Sequence, residues 1–231
     1  MGARKKRQKR GLLRKLLLAP LVVLAGYYGI ATVALIFCLF VTPPTTGVQI
    51  QRRVEAIIHG RDYEKEYDPV PGAQISSHLR HAVVAAEDGR FYEHWGIDFE
   101  AIRDAMEDNQ RRGRSWRGGS TITQQLVKNL FMTTHSSWIR KALEVPLTYL
   151  AELILSKERI LTLYLNVIEW GDGVYGAEAA ARHYSGQSAA HLTRRQAAGL
   201  AAVIPAPRDR SPSRMGRYTS IILTRMTQMG W

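Results

Sequence analysis

Cysteine is almost missing: the chain has one, Cys38, in 231 residues. An intramolecular disulfide is excluded, and so is a cysteine-built zinc cluster. No His-Glu-x-x-His run occurs, which removes the commonest helix-borne zinc motif. No internal repeat is present, and no stretch alternates apolar and polar residues convincingly. A repeat architecture or a sheet-dominated fold is therefore not expected. Acid is missing from residues 1–15, which carry Arg4, Lys5, Lys6, Arg7, Lys9, Arg10, Arg14 and Lys15. That tail supplies +8 of the net +12 and leaves the remainder only mildly basic. No nucleic-acid partner follows from such a balance.

Residues 16–41 lack charge altogether. As a helix, this run would span roughly 39 Å at ~1.5 Å per residue, against a hydrocarbon core of ~30 Å. A cleaved signal peptide would have a shorter apolar core and a small-residue cleavage site after it. Thr42-Pro43-Pro44-Thr45 follows instead. The run reads as a transmembrane helix, with the basic tail held in the cytoplasm by the positive-inside rule and the rest of the chain outside.

Residues 42–72 read as a juxtamembrane connector, punctuated by Pro43, Pro44, Pro69, Pro71 and Gly72, with a short helix over 48–59. From residue 76 the pattern is helical. The expected helices are 77–88, 98–112, 120–131, 137–156, 157–168, 174–184, 193–204 and 215–229. The fold class is mainly α, with one domain over 73–231. Within 120–131, Ser120 or Thr121 can cap the helix, and Thr121-x-x-Gln124 fits a capping box. Ile122, Leu126 and Leu130 form an apolar stripe, while Thr121, Gln125, Lys128 and Asn129 fall on another face. Pro146 interrupts the 137–156 pattern and is expected to kink it.

Candidate chemistry gathers in a few places. Glu87 and Asp88 end a helix in what reads as a tight exposed turn, near Phe91 and His94. A carboxylate against an apolar wall can serve as a general base, although a plain solvated acid pair has the same sequence. A metal held by Asp88 and His94 has little support. Lys128 and Arg140 could hold a diphosphate, Arg by its planar fork and Lys as a point charge. A solvated lysine and an ordinary Arg140–Glu144 helix pair would look the same. Arg111, Arg112, Arg114 and Arg117, with Gly113, Gly118 and Gly119, read as a basic connector: a flap over an anion, a lipid-surface contact or a solvated loop.

Taken together these segments are specific. Glu87-Asp-Gly-Arg-Phe-Tyr-Glu-His-Trp-Gly96 resembles the first motif of the peptidoglycan glycosyltransferases, family 51. Gly118-Gly-Ser-Thr-Ile-Thr-Gln-Gln-Leu-Val-Lys-Asn129 resembles the second, and Arg140-Lys-Ala-Leu-Glu144 the third. Lys157-Glu-Arg-Ile-Leu-Thr-Leu-Tyr-Leu-Asn166 and the run from Gly173 to Tyr184 resemble the fourth and fifth. Departures are Pro146, Thr148 and Ser185-Gly186. Neither Ser-x-x-Lys nor Lys-Thr-Gly occurs, so the transpeptidase part of the bifunctional relatives is not expected, and the resemblance is to the monofunctional type.

The resemblance implies a lysozyme-like, mainly α domain whose smaller lobe, including 97–117, meets the membrane. It implies polymerisation of lipid II into β-1,4 glycan with release of undecaprenyl diphosphate, outside the inner membrane, in cell-wall biogenesis. Glu87 matches the general base and Glu144 the second carboxylate. Lys128 and Arg140 match the cations that take the leaving diphosphate. Ser120, Thr121, Gln125 and Asn129 match the lining of the donor site, and Asp88, Phe91 and His94 match positions supporting Glu87. No cofactor is required; Mg²⁺ or Mn²⁺, with Glu144 as ligand, is used in the family and is not legible here. The implied partners are lipid II, the nascent glycan strand, the membrane, and division or elongation proteins. A glycan-cleaving enzyme and a non-catalytic membrane scaffold are the rival readings; a hydrolase has no need of Lys128 and Arg140, and a scaffold no need of Glu87.

Overall fold

The computed structural model describes residues 2–112 and 119–231. Arg114, Arg117, Gly113 and Gly118 of the basic connector lie outside the described residues. The charge-free run forms the later part of one long helix, α1 (Gly2–Phe37). Its apolar portion, Leu18–Phe37, has a mean hydropathy of 2.0 over 20 residues. At ~1.5 Å per residue that is close to the ~30 Å of a hydrocarbon core. The helix stops four residues short of the expected 41, in a turn over Cys38–Phe40 closed by i→i+3 bonds from Leu39 and Phe40. The prolines at 43 and 44 disfavour helical backbone just beyond it.

Residues 42–72 contain two elements. Helix α2 (Gly47–Ile58) is capped by Thr46, whose hydroxyl accepts from the Gln49 amide. It buries Val48 and Ala56 and leaves Ile50, Val54, Ile57 and Ile58 exposed. Strand β1 (Glu66–Tyr67) follows. Then come α3 (Ser77–Glu87), α4 (Phe99–Arg112), α5 (Ile122–Phe131), α6 (Trp138–Ile154) and α7 (Lys157–Val167). Strands β2 (Glu169–Gly171) and β3 (Val174–Tyr175) precede α8 (Ala177–Ser185), α9 (Arg194–Ala201) and α10 (Gly216–Gln228).

The helices agree with the periodicity to within a few residues at their ends, and α6 runs on through Pro146. The small sheet, in the order β1-β3-β2, corrects the expectation of no strand and of a helix starting at 174. Strands of two or three residues are too short to show alternation. Gly173 (φ +78°) and Gly176 (φ +86°) take backbone conformations that a helix cannot contain. A Cβ on Gly176 would lie 2.7 Å from the Asn166 carbonyl, so α8 starts only after it.

Helix α7 runs through the centre. Every residue from Ile160 to Val167 is buried, and α5, α6 and α8 pack around it. Helices α3, α9 and α10 form the other side of the core. The end of α1 joins this body against α6: Ala31, Leu35 and Cys38 are buried in the same core. Tyr27 donates to the Phe131 carbonyl at 3.4 Å and Tyr28 to the Leu143 carbonyl at 3.2 Å.

Candidate active site

The two acids at the end of α3 have different fates. Asp88 is not in an exposed turn: it is 6% exposed, and its carboxylate is fully engaged. His94 Nε2 lies 2.9 and 3.1 Å from its two oxygens, and the Ile122 amide donates to Oδ2 at 2.9 Å. The Ile122 amide is an orphan donor at the start of α5, where a carboxylate is favoured. Asp88 therefore ties the end of α3 to the start of α5. Thr121 completes the tie. It caps α5 through the anticipated box with Gln124, and its hydroxyl donates to the Gly96 carbonyl at 2.6 Å. Phe91 is fully buried beneath the Lys157 ammonium, which sits 4.6 Å from its ring centre. Asp88, Phe91, His94 and Thr121 thus form a buried brace, not an open lining.

Glu87 emerges from this brace. Gln125, one turn into α5, donates from Nε2 to Glu87 Oε2 at 2.8 Å. The Tyr164 hydroxyl on α7 donates to Gln125 Oε1 at 2.9 Å. Burial pushes the Glu87 carboxyl above its ordinary range, opposed by the Gln125 bond and by Lys128, reinforced by Asp88, and opposed again by Arg210. A raised carboxylate is suited to accepting a proton near neutral pH. Asn129 is buried, and its amide donates to the Gln125 carbonyl at 2.8 Å, steadying that turn of α5.

Beside Glu87 lies a cationic group built by α5 and α6. Glu144 is 2% exposed and bracketed: Arg140 pairs with Oε1, and the Lys141 ammonium is 3.0 Å from Oε2. Arg140 also donates from Nε to the His135 carbonyl at 2.7 Å, and Lys141 reaches the Ser120 hydroxyl at 3.0 Å. The Lys128 ammonium has no ion pair or hydrogen bond among the described residues. Burial depresses its pKa most; Glu144 opposes this, Arg140 adds to it, Glu87 opposes it, and Lys141 adds to it. A half-buried ammonium with cationic neighbours and no acid of its own is costly, and an anion would relieve it. Glu144 neutralises one charge of the group, so it does not form the plain surface pair that i, i+4 spacing also allows.

Sequence reasoning thus located Glu87, Lys128, Arg140, Glu144, Gln125 and Ser120, which the structure brings together. It missed Lys141, next to a residue it singled out, and it left Tyr164 as core. Arg210, past the last motif, went unnoticed; only its proximity to Glu87 in space marks it.

Asp88, His94 and Asp98 offer ligand atoms within 4.8 Å of one another. They do not suit a metal ion. Arg90 donates to both Asp98 oxygens at 3.0 and 2.8 Å, and the Ala101 amide adds a third bond. Glu144 is no better, since Arg140 and Lys141 take both of its oxygens. A cavity of about 270 Å³ near β3, lined by Arg52, Arg61, Asp172 and Arg208 among others, shares no residue with the Glu87–Lys128 group.

The transglycosylase family model matches residues 53–227, from within α2 to the end of α10. A Pseudomonas entomophila protein named biosynthetic peptidoglycan transglycosylase is 45% identical over 224 residues, 95% of this chain and 92% of that relative. One of the same name from Dechloromonas aromatica is 55% identical over 161 residues, 68% of this chain and 70% of the relative. A third, from Stutzerimonas stutzeri, is 42% identical over 209 residues, 90% of this chain and 86% of the relative. With its helical core, its paired acid and cation groups and these matches, the chain belongs to the transglycosylase family.

Proposed function

We propose that this chain is a peptidoglycan glycosyltransferase that polymerises lipid II into β-1,4-linked glycan and releases undecaprenyl diphosphate. The observation that carries the reading is the placing of a half-buried Glu87, its pKa raised by burial, beside Lys128, whose ammonium has no ion pair among the described residues, and the Arg140–Lys141–Glu144 group. The growing strand is the donor. The acceptor's sugar 4-hydroxyl attacks the donor's anomeric carbon, and Glu87 takes the hydroxyl proton. The carbon–oxygen bond to the diphosphate breaks as the new bond forms, with inversion. Lys128 and Arg140 receive the charge that develops on the diphosphate, where fixed cations in a dry site are most effective. Ser120, held by Lys141, lines this side. Glu144 keeps Arg140 and Lys141 aimed.

The same reading places the chain in the cytoplasmic membrane, N-terminus inside and catalytic body outside. Supporting it are the charge-free span of α1 and the basic tail before it. Trp138 and Ile139 at the start of α6, and Ile57 and Ile58 at the end of α2, are 91%, 76%, 69% and 73% exposed, apolar side chains that lipid would cover. A lipid-linked substrate would then reach Lys128 without leaving the membrane surface.

The test is glycan synthesis from purified lipid II by the full chain in detergent, beside Glu87→Gln. Polymer from the parent and none from the variant is expected. Shortening of existing glycan would replace this reading with a hydrolase. Equal inactivity of both, with substrate still bound, would replace it with a scaffold.

A further inference from the structure

We propose that Tyr164 is a positioning residue that decides, through Gln125, which oxygen of Glu87 acts as the base. The inference rests on Glu87 being the base. Tyr164 is fully buried, and its hydroxyl makes one side-chain hydrogen bond among the described residues, to Gln125 Oε1. A phenol needs an acceptor for its proton, so the Gln125 amide must turn its oxygen toward Tyr164. Its nitrogen then faces Glu87 Oε2, as observed at 2.8 Å. The reverse orientation would bury the phenol proton without a partner, which is costly.

Two consequences follow for the proton. Oε2 is committed to accepting from Gln125, and Oε1 has no hydrogen bond among the described residues. Oε1, with both lone pairs open among the described residues, is therefore the oxygen better placed to take the acceptor's proton. Because the amide can offer Glu87 only an N–H, it favours the ionised carboxylate over the acid. Without the phenol, the amide could rotate as Glu87 protonates and present its carbonyl to the new O–H. That would stabilise the acid and weaken the base. The chain of contacts runs from the innermost helix, α7, through α5 to the end of α3, so it is held by the core and not by a loop.

The experiment is the pH dependence of kcat/KM for lipid II polymerisation by the full chain in detergent. The variants are Tyr164→Phe, Gln125→Met, the double variant and Glu87→Gln. Tyr164→Phe should move the acid limb upward by about one pH unit, an about tenfold greater loss on the acid side than on the alkaline side. KM should change little. Gln125→Met should move the limb the same way, and Tyr164→Phe should add no further shift in that background. An unmoved limb with Tyr164→Phe, or shifts that simply add, would overturn the proposal even with Glu87→Gln inactive. An active Glu87→Gln enzyme would overturn the base assignment itself. If Tyr164→Phe does not fold, an unmoved limb in Gln125→Met overturns the proposal alone.

Discussion

Replacing Lys128 by Met should make the protein more stable and the enzyme much worse. The methylene stem of Met fills nearly the same space, and the half-buried ammonium disappears. In the folded chain that ammonium has Arg140 and Lys141 nearby, and the acids that offset them are Glu144, already shared between those two, and Glu87, which makes no ion pair with it among the described residues. Replacing a poorly compensated buried charge by an apolar isostere is worth about 1–3 kcal/mol. For a domain of this size that is a rise of roughly 2–12 °C in Tm. The sign can be checked by pH. Burial holds the Lys128 pKa below its ordinary 10.5. Between the folded and unfolded values the unfolded state binds more protons, so the parent gains stability as pH rises through that window. The advantage of Lys128→Met should thus be full below the folded pKa and shrink toward pH 10.5. Activity should move the other way. Loss of one preorganised donor to a developing oxyanion costs about 10²–10³-fold in rate. The assay is thermal unfolding in detergent at several pH values beside lipid II turnover. A lower Tm together with nearly unchanged kcat/KM would refute the reasoning, because it would make Lys128 a structural cation.

Three further outcomes follow from the same geometry. Glu87→Gln should be more stable than the parent at neutral pH, with the gain vanishing below about pH 4.5, where the parent's carboxyl is protonated folded or unfolded; a gain that persists in acid would show that burial of the charge is not its cause. Asp88→Asn should lose about 2–4 kcal/mol, since it weakens the His94 contact and the bond from the Ile122 amide inside the core; denaturant titration checks it, and a loss below half a kcal/mol would count against the brace. Gly176→Ala should cost more than about 2 kcal/mol, because it combines a φ of +86° with a 2.7 Å approach to the Asn166 carbonyl; near-parent stability would show that the turn before α8 can relax.

What the sequence by itself determined is the part of the molecule governed by local rules and by residue identity. The charge-free run, the capping box at Thr121 and Gln124, and the Ile122–Leu126–Leu130 stripe each depend on neighbours within a turn or two. They were legible without a structure, as were the motif residues Glu87, Lys128, Arg140 and Glu144. The tertiary structure decided what those residues experience. Asp88 and Glu87 are adjacent and chemically alike, yet one is consumed by His94 and the α5 amide while the other keeps one oxygen without a partner among the described residues. The pairing of β1 with β3 joins residues more than a hundred positions apart, through strands too short to show a period. Tyr164 looks like any core aromatic until its hydroxyl meets Gln125 from another helix. Lys128 looks like a solvated lysine until partial burial, and then two cationic neighbours, depress its pKa. Helix period and caps are set by interactions a few residues apart, whereas burial, pKa and hydrogen-bond partners are set by whichever distant segments the core brings alongside.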